Sequence, residues 1–237
     1  MAQRRIGYFF YNTLLALAGL IYLPVIIFRI VTGYPTVGTS FKKQNGSILK
    51  PTLWIHAATE GQLTVIDGIF EQLTSFFTGY QMVLTYTGKN VVNVGKPPDS
   101  IQMLVVLPYS VEFCATKILA HFKPKLLLMV EDPLYPNLVH RCKAAGIKVA
   151  LIGGRVNRRL LSVHRLAPEF LKSVLKGIDL LMMDSVAEAN KIGKLGATLS
   201  KILVSGAIGY QGDEGNDDDD SLKEAFGAIG SLLGRNS

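Results

Sequence analysis

Apolar residues fall in short runs along the middle of this chain, and longer helix-patterned stretches separate them. The runs are Thr52–Ala57, Gln81–Thr85, Met103–Leu107, Lys125–Val130, Lys148–Ile152, Leu180–Met183 and Lys201–Val204. Each is apolar at successive positions, so both faces of the strand it predicts are to be buried. The stretches between them predict helices over Gln62–Phe77, Val111–His121, Asn137–Ala145, Pro168–Lys176 and Ala187–Leu195. Gly146 and Gly196 stand where helix C-caps belong. Strand and helix in alternation predict an α/β fold: a doubly wound, Rossmann-like parallel sheet with right-handed crossovers. Ligands of such sheets bind at the carboxyl ends of the strands.

Two further patterns flank this core. Ile6 to Phe28 is an uncharged apolar run of 23 residues. As a helix it would be roughly 34 Å long, against an apolar bilayer thickness of about 30 Å. It predicts a retained N-terminal membrane-anchor helix. A buried hairpin, an interfacial helix or a monotopic insertion would have the same composition. At the other end, Leu222, Phe226, Ile229 and Leu233 recur at helical spacing after the acidic run Asp217–Asp220. The run reads as a solvated linker, with Asp220 or Ser221 as helix cap. The apolar stripe suits either its own domain or a partner. The organisation expected is an anchor over 1–32, a linker over 33–50, a Rossmann-like domain over 51–210, and an acidic linker with a short amphipathic helix over 211–237.

Charge adds one thing to this picture. The net charge of +7 is segregated: residues 211–237 hold seven acids and two bases, and residues 1–210 hold 23 bases and 11 acids. A basic body suits an anionic partner such as a phosphorylated lipid or a bilayer. Nucleic acid is not expected as a partner, because the bases are scattered and form no nucleic-acid-binding motif. Slightly more positive charge follows the anchor than precedes it, which leans toward a cytoplasmic domain. Cys114 and Cys142 read as reduced core residues. No His/Cys pair has metal-ligand spacing, and no metal or cofactor is expected.

Candidate chemistry sits just past the strand ends. His56-Ala57-Ala58-Thr59-Glu60-Gly61-Gln62 follows the first strand. Gly61 permits a tight turn and close approach of a ligand, and the next helix offers its N-terminus to an anion. Glu131-Asp132-Pro133-Leu134-Tyr135-Pro136-Asn137 follows the fourth. Glu131 is placed to bind sugar hydroxyls or polarise a nucleophile. The same placement suits a purely structural pairing with an arginine or with helix N–H groups. Asn137 suits the cap of the next helix. Gly153-Gly154-Arg155-Val156-Asn157-Arg158-Arg159 follows the fifth. Two glycines and three arginines make an anion cradle, or equally a solvated or headgroup-facing surface. Thr85-Tyr86-Thr87-Gly88-Lys89 and Leu107-Pro108-Tyr109 lie at two further strand ends.

In this order the strings resemble the amino-terminal half of the 3-deoxy-D-manno-octulosonic acid (Kdo) transferases, from the anchor to about Tyr210. The shared pattern is His-Ala-Ala then Gly, the Thr-rich strand end, Leu107-Pro108-Tyr109, Glu131 with Leu134, Pro136 and Asn137, Arg155, Asp184-Ser185, Leu195-Gly196-Ala197 and Val204-Ser205-Gly206. The resemblance implies one half of a two-domain GT-B glycosyltransferase. In that family this half binds the lipid acceptor and supplies the catalytic base, and the other half binds the donor CMP-Kdo. Three departures bear on function. The base position holds Gln62, which cannot take a proton; Glu60 is a substitute base or simply a first-turn carboxylate facing the helix dipole. No donor domain follows. The basic stretch after the anchor shrinks to the 33–50 linker.

Stand-alone domains that resemble this one occur as one subunit of a two-component Kdo hydrolase. The resemblance therefore implies a lipid-binding subunit, with a second protein subunit, removing Kdo from Kdo-lipid A at the inner membrane. Glu131 and Glu60 are the candidate catalytic residues. Gly61, Gln62, Pro136, Asn137, Arg155, Arg158 and Arg159 are the candidate substrate-binding residues. A split or truncated transferase and a non-catalytic membrane scaffold are the alternatives.

Overall fold

The computed structural model describes residues 9, 11–13, 16, 17, 20, 50–86, 103–106, 111–206, 208 and 217–234. The first three strands and their helices are β1 (Thr52–Ala57), α1 (Glu60–Phe76), β2 (Gln81–Tyr86), β3 (Met103–Val106) and α2 (Val111–Phe122). There follow β4 (Leu126–Val130), α3 (Pro136–Ala144), β5 (Lys148–Gly154), α4 (Arg158–Leu166) and α5 (Pro168–Lys176). The chain continues with β6 (Leu180–Met183), α6 (Val186–Lys194), β7 (Ile202–Val204) and α7 (Asp217–Leu232).

The seven strands form one sheet in the order β3-β2-β1-β4-β5-β6-β7. Every pairing is parallel. Winding runs outward from β1 to β3, crosses back, and runs outward again from β4 to β7. The order reverses between β1 and β4, so the two motif loops emerge side by side at the switch point.

Period-two alternation sorts the strand residues between two cores. Trp54, Leu127, Met129, Leu151, Leu181 and Met183 face α2 to α6. Leu53, Ile55, Leu128, Val130, Ile152 and Met182 face α1 and α7. Both faces are therefore covered, which is why the strands read as continuous apolar runs.

All seven predicted strands are present, with ends shifted by a residue or two. One helix was not anticipated, and two expectations need correction. The basic segment after β5 runs into a helix, α4, because the Asn157 side chain accepts the Leu160 N–H at 2.8 Å and starts it. Asn137 is not a cap: Pro136 opens α3, and the Asn137 amide donates to Asn12 Oδ1 at 2.7 Å. The acidic run is not a linker, since Asp217–Asp220 form the first turn of α7.

The stripe of α7 docks on its own sheet. Leu222, Ala225, Phe226 and Ile229 are buried among β4, β5, β6 and α1. The Phe226 ring lies 5.9 Å from Phe76 and 6.4 Å from Phe77. Among the described residues no helix is long and apolar enough to cross a membrane. Most of the run from Ile6 to Phe28 lies outside the described residues.

Candidate functional site

The site is a row of strand ends, β1, β4, β5 and β6 in spatial order. At β1, Thr59 caps α1: its hydroxyl accepts the Gln62 N–H at 3.2 Å. Gln62 reciprocates, its side-chain oxygen accepting the Ala58 N–H at 2.6 Å. This is a variant of the capping box, with the third helical residue reaching back to the loop. The Gln62 side chain is buried by this arrangement. Gly61 does not make the tight turn expected of it. It lies inside α1, and a Cβ there would meet only Thr59 Oγ1, at 3.9 Å. Glu60 stays exposed on the first turn. Burial raises the Tyr86 hydroxyl pKa, and the Glu60 charge nearby adds to the rise.

Under this loop lies a polar knot that the sequence reading did not single out. Trp54 Nε1 donates to Thr85 Oγ1 at 2.8 Å. The Thr85 hydroxyl has one proton, which Ile55 O can accept at 3.2 Å. His56 Nδ1 lies 2.9 Å from the same oxygen, as donor in the Nδ1–H tautomer and as acceptor of the Thr85 proton in the other. Either way the buried Nε2 has no partner among the described residues. Burial pulls the His56 pKa down to about 3, against a weaker upward pull from the Thr85 backbone. The neutral ring packs edge-on against Tyr135, with centroids 4.9 Å apart, and so links the first motif loop to the second. The signal in the sequence was a histidine and a threonine at matched positions of adjacent strands, His56 opposite Thr85.

At β4, Glu131 has φ +60, a left-handed backbone for a residue with a side chain. Two bonds, one to β5 and one to the residue after it, hold it there: its N–H donates to Ile152 O at 2.8 Å, and its carbonyl accepts the Arg155 N–H at 3.3 Å. Strain of this kind gathers at functional positions. Beside it Gly153 has φ +62, and a Cβ there would lie 3.6 Å from Asp184 Oδ1 and 3.9 Å from Glu131 Cγ. Glu131 and Asp184 therefore flank Gly153.

The arginine cradle is rearranged. Arg155 Nε donates to Asp184 Oδ2. Arg159 meets Asp132 Oδ2 at 3.4 Å, and Asp132 Oδ1 accepts the Leu134 N–H at 2.8 Å. Glu188 accepts the Val156 N–H at 2.6 Å and Lys191 Nζ at 2.6 Å. Burial works to raise the Glu188 pKa, but Lys191, the Val156 N–H and Arg155 outweigh it and hold the carboxyl below its ordinary value. Gly154 is not part of a cradle. It belongs to β5, and a Cβ there would lie 2.7 Å from Met183 Sδ.

Glu131, Arg155 and Asp184 thus come together at three adjacent strand ends, with Glu60 and Gln62 at a fourth. Pro136 is buried at the start of α3 with Asn137 beside it. Arg158 points away on the exposed face of α4. Asp184 was missed as a site residue, although it follows β6 as Glu131 follows β4. Thr87-Gly88-Lys89 and Leu107-Pro108-Tyr109 lie outside the described residues. The arrangement offers two carboxylates and a paired guanidinium to a polyhydroxylated, anionic ligand.

Fold and site together define one Rossmann-like unit with a polar, carboxylate-bearing crevice at its switch point. Residues 34–211 match the family model described as 3-deoxy-D-manno-octulosonic-acid transferase (Kdo transferase), and the chain belongs to that family. A bifunctional glycosyltransferase/methyltransferase of Fusobacterium nucleatum is 24% identical over 152 residues, covering 63% of this chain and 24% of the relative. The 3-deoxy-D-manno-octulosonic acid transferase of Chlamydia pneumoniae is 22% identical over 208 residues, covering 84% of this chain and 47% of the relative. The chain spans less than half the length of these two relatives. Among solved structures, a UDP-N-acetylglucosamine 2-epimerase described as putative, from Listeria monocytogenes, superposes with a TM-score of 0.50 at 10% identity. That match covers 67% of this chain and 46% of the epimerase, and it speaks for the fold alone.

Proposed function

We propose that this chain is a glycolipid-binding subunit that presents Kdo-lipid A for removal of Kdo by a second protein subunit. The observation that carries the reading is the Gln62 side chain. Its oxygen is engaged by the Ala58 N–H, and an amide has no basic site for an acceptor hydroxyl's proton. A transferase that lacks its general base loses about 10²–10⁴-fold in rate. The binding features remain. Glu131 and Asp184 accept hydrogen bonds from sugar hydroxyls, and the fixed Arg155 guanidinium faces the Kdo carboxylate or a lipid phosphate. In this reading the chain is held at the inner membrane by its N-terminal segment, with the domain on the cytoplasmic side. The partner supplies the hydrolytic residues.

The test is mass spectrometry of lipid A-core from cells lacking the gene. An extra retained Kdo is the expected outcome. Kdo hydrolysis by the purified chain alone would overturn the division of labour.

The second reading is a split transferase, whose other half comes from a separate chain. The family membership and the exposed Glu60 on the first turn of α1 favour it. It predicts loss of Kdo in the same cells. It also predicts that Gln62→Glu raises transfer in a reconstituted pair.

A further inference from the structure

Arg155 leaves β5 just where the ladder between β5 and β6 loses its register. Ala150 and Leu151 pair in step with Leu180 and Leu181, but the next pair is Gly154 with Met183. β5 thus advances three residues while β6 advances two. Irregularities of this kind re-aim a side chain beside a site. Past this point the chain is held from two sides. On one, the Arg155 N–H donates to Glu131 O at 3.3 Å. On the other, the connection from β6 to α6 supplies three bonds. The Asp184 N–H donates to Gly154 O at 3.2 Å, the Asp184 carboxylate takes Arg155 Nε, and Glu188 Oε2 takes the Val156 N–H at 2.6 Å.

The bond from Glu188 is the unexpected one. Ser185-Val186-Ala187-Glu188 has the spacing of a capping box, and Ser185 Oγ accepts the Glu188 N–H at 3.2 Å as the box requires. In such a box the acidic side chain turns back to its own helix start. Gln62 does so in α1, where it accepts the Ala58 N–H. The Glu188 carboxylate goes elsewhere. Oε2 crosses to Val156, 32 residues earlier, and Oε1 holds Lys191 Nζ at 2.6 Å. The side chain is only 17% exposed, and the Arg155 charge acts on it. A carboxylate serving α6 alone would have both partners on α6.

We propose that Glu188 is a positioning residue for Arg155. It fixes the Arg155–Val156 peptide, so that the guanidinium held by Asp184 meets an anionic ligand in one orientation. The role rests on the reading above that Arg155 faces an anionic group. Charge balance gives the orientation its importance. Arg155 and Lys191 are matched by Asp184 and Glu188, so this cluster is neutral as a whole. An anion is then recognised there by aimed N–H donors rather than by net charge, and loosening the aim costs affinity. A carboxylate acting on the ligand by charge would do the opposite: its removal would tighten anion binding.

The test uses the full-length chain with Glu188→Ala, Glu188→Gln and Lys191→Ala, and two readouts. The first is the nuclear magnetic resonance signal of the Arg155 Nε–H without ligand, assigned by its loss in Arg155→Lys. The second is calorimetric affinity for the free Kdo monosaccharide. In Glu188→Ala the signal should shift and exchange with water several-fold faster, and Kdo binding should weaken about tenfold. Glu188→Gln keeps an acceptor for the Val156 N–H and should restore most of both. Lys191→Ala should leave both near the parent. Should Glu188→Ala not fold, Glu188→Asp, one methylene too short for the same reach, takes its place. An unchanged Arg155 signal in the shortened variant, tighter Kdo binding in any Glu188 variant, or no rescue by glutamine would overturn the proposal. A parent chain that binds no Kdo counts against the reading above instead, and the ligand-free Arg155 signal still decides the role of Glu188.

Discussion

The side-chain oxygen of Gln62 accepts the N–H of Ala58 at 2.6 Å, four residues back across the start of α1. That bond closes the loop the Thr59 cap opens. Removing it strands a part-buried N–H. Gln62→Ala should therefore lower unfolding free energy by about 1 kcal/mol in urea titrations, the usual cost of a lost cap. Gln62→Glu keeps an acceptor there and gains from the helix dipole, so its cost should be smaller. Equal costs for the two variants would mean that the bond contributes nothing.

His56 predicts an acid limb in the stability profile. Burial holds its pKa at about 3 in the folded protein, against 6.5 for the ordinary group. Above pH 6.5 both folded and unfolded chains carry it neutral, and the stability is fully present. As pH falls from 6.5 toward 3 the unfolded chain takes the proton and the folded one does not. Stability is then lost at up to about 1.4 kcal/mol per pH unit. Between pH 6.5 and 5 few carboxylates titrate, so the slope there belongs mainly to histidine. Urea midpoints of the parent should drop across that window, and those of His56→Gln should drop distinctly less.

Glu131 separates strain from function. Its left-handed backbone, φ +60, costs a residue with a Cβ about 1–2 kcal/mol and costs glycine little. Both Glu131→Gly and Glu131→Ala remove the carboxylate. Glu131→Gly should nonetheless be the more stable of the two by about 1 kcal/mol on thermal or urea unfolding, with both equally defective in Kdo-lipid A processing. A stable variant that keeps full processing would show that the carboxylate is not used.

Most of the fold was legible in the sequence because a parallel sheet buried on both faces leaves unbroken apolar runs, as at Leu126–Val130. The strand-end rule then put Glu131 and Arg155 in one crevice. What escaped were contacts that depend on partners far along the chain. The Arg155–Asp184 pair joins two loops 29 residues apart. The His56–Thr85 contact needs the register of β1 on β2. Helix α4 was hidden by its composition: three arginines and a histidine in nine residues mask the helical period, and its short apolar side needs only Leu160 buried. The amphipathic stripe of α7 was visible, but its docking surface was not. That surface is the half of the sheet that α1 leaves bare.

Helix α7 should therefore be part of the folding unit. The β4–β6 half of that face, with Leu128, Ala150, Ile152 and Met182, packs in one cluster with Leu222, Phe226 and Ile229. Phe226 is the largest side chain of α7 in the core, 2% exposed and ringed by Phe76 and Phe77. Truncating it leaves a cavity between α7, α1 and the sheet, which aromatic contacts elsewhere cannot fill. Phe226→Ala should cost about 3–5 kcal/mol, within the range of large-to-small changes in a core. Phe226→Leu, which keeps most of the volume, should cost clearly less. Hydrogen exchange supplies the check on cooperativity. In the parent, the amides of α7 and of β5 should exchange with similar protection, because opening one bares the other. If α7 exchanges freely while β5 stays protected, the helix is an appendage and the core closes without it.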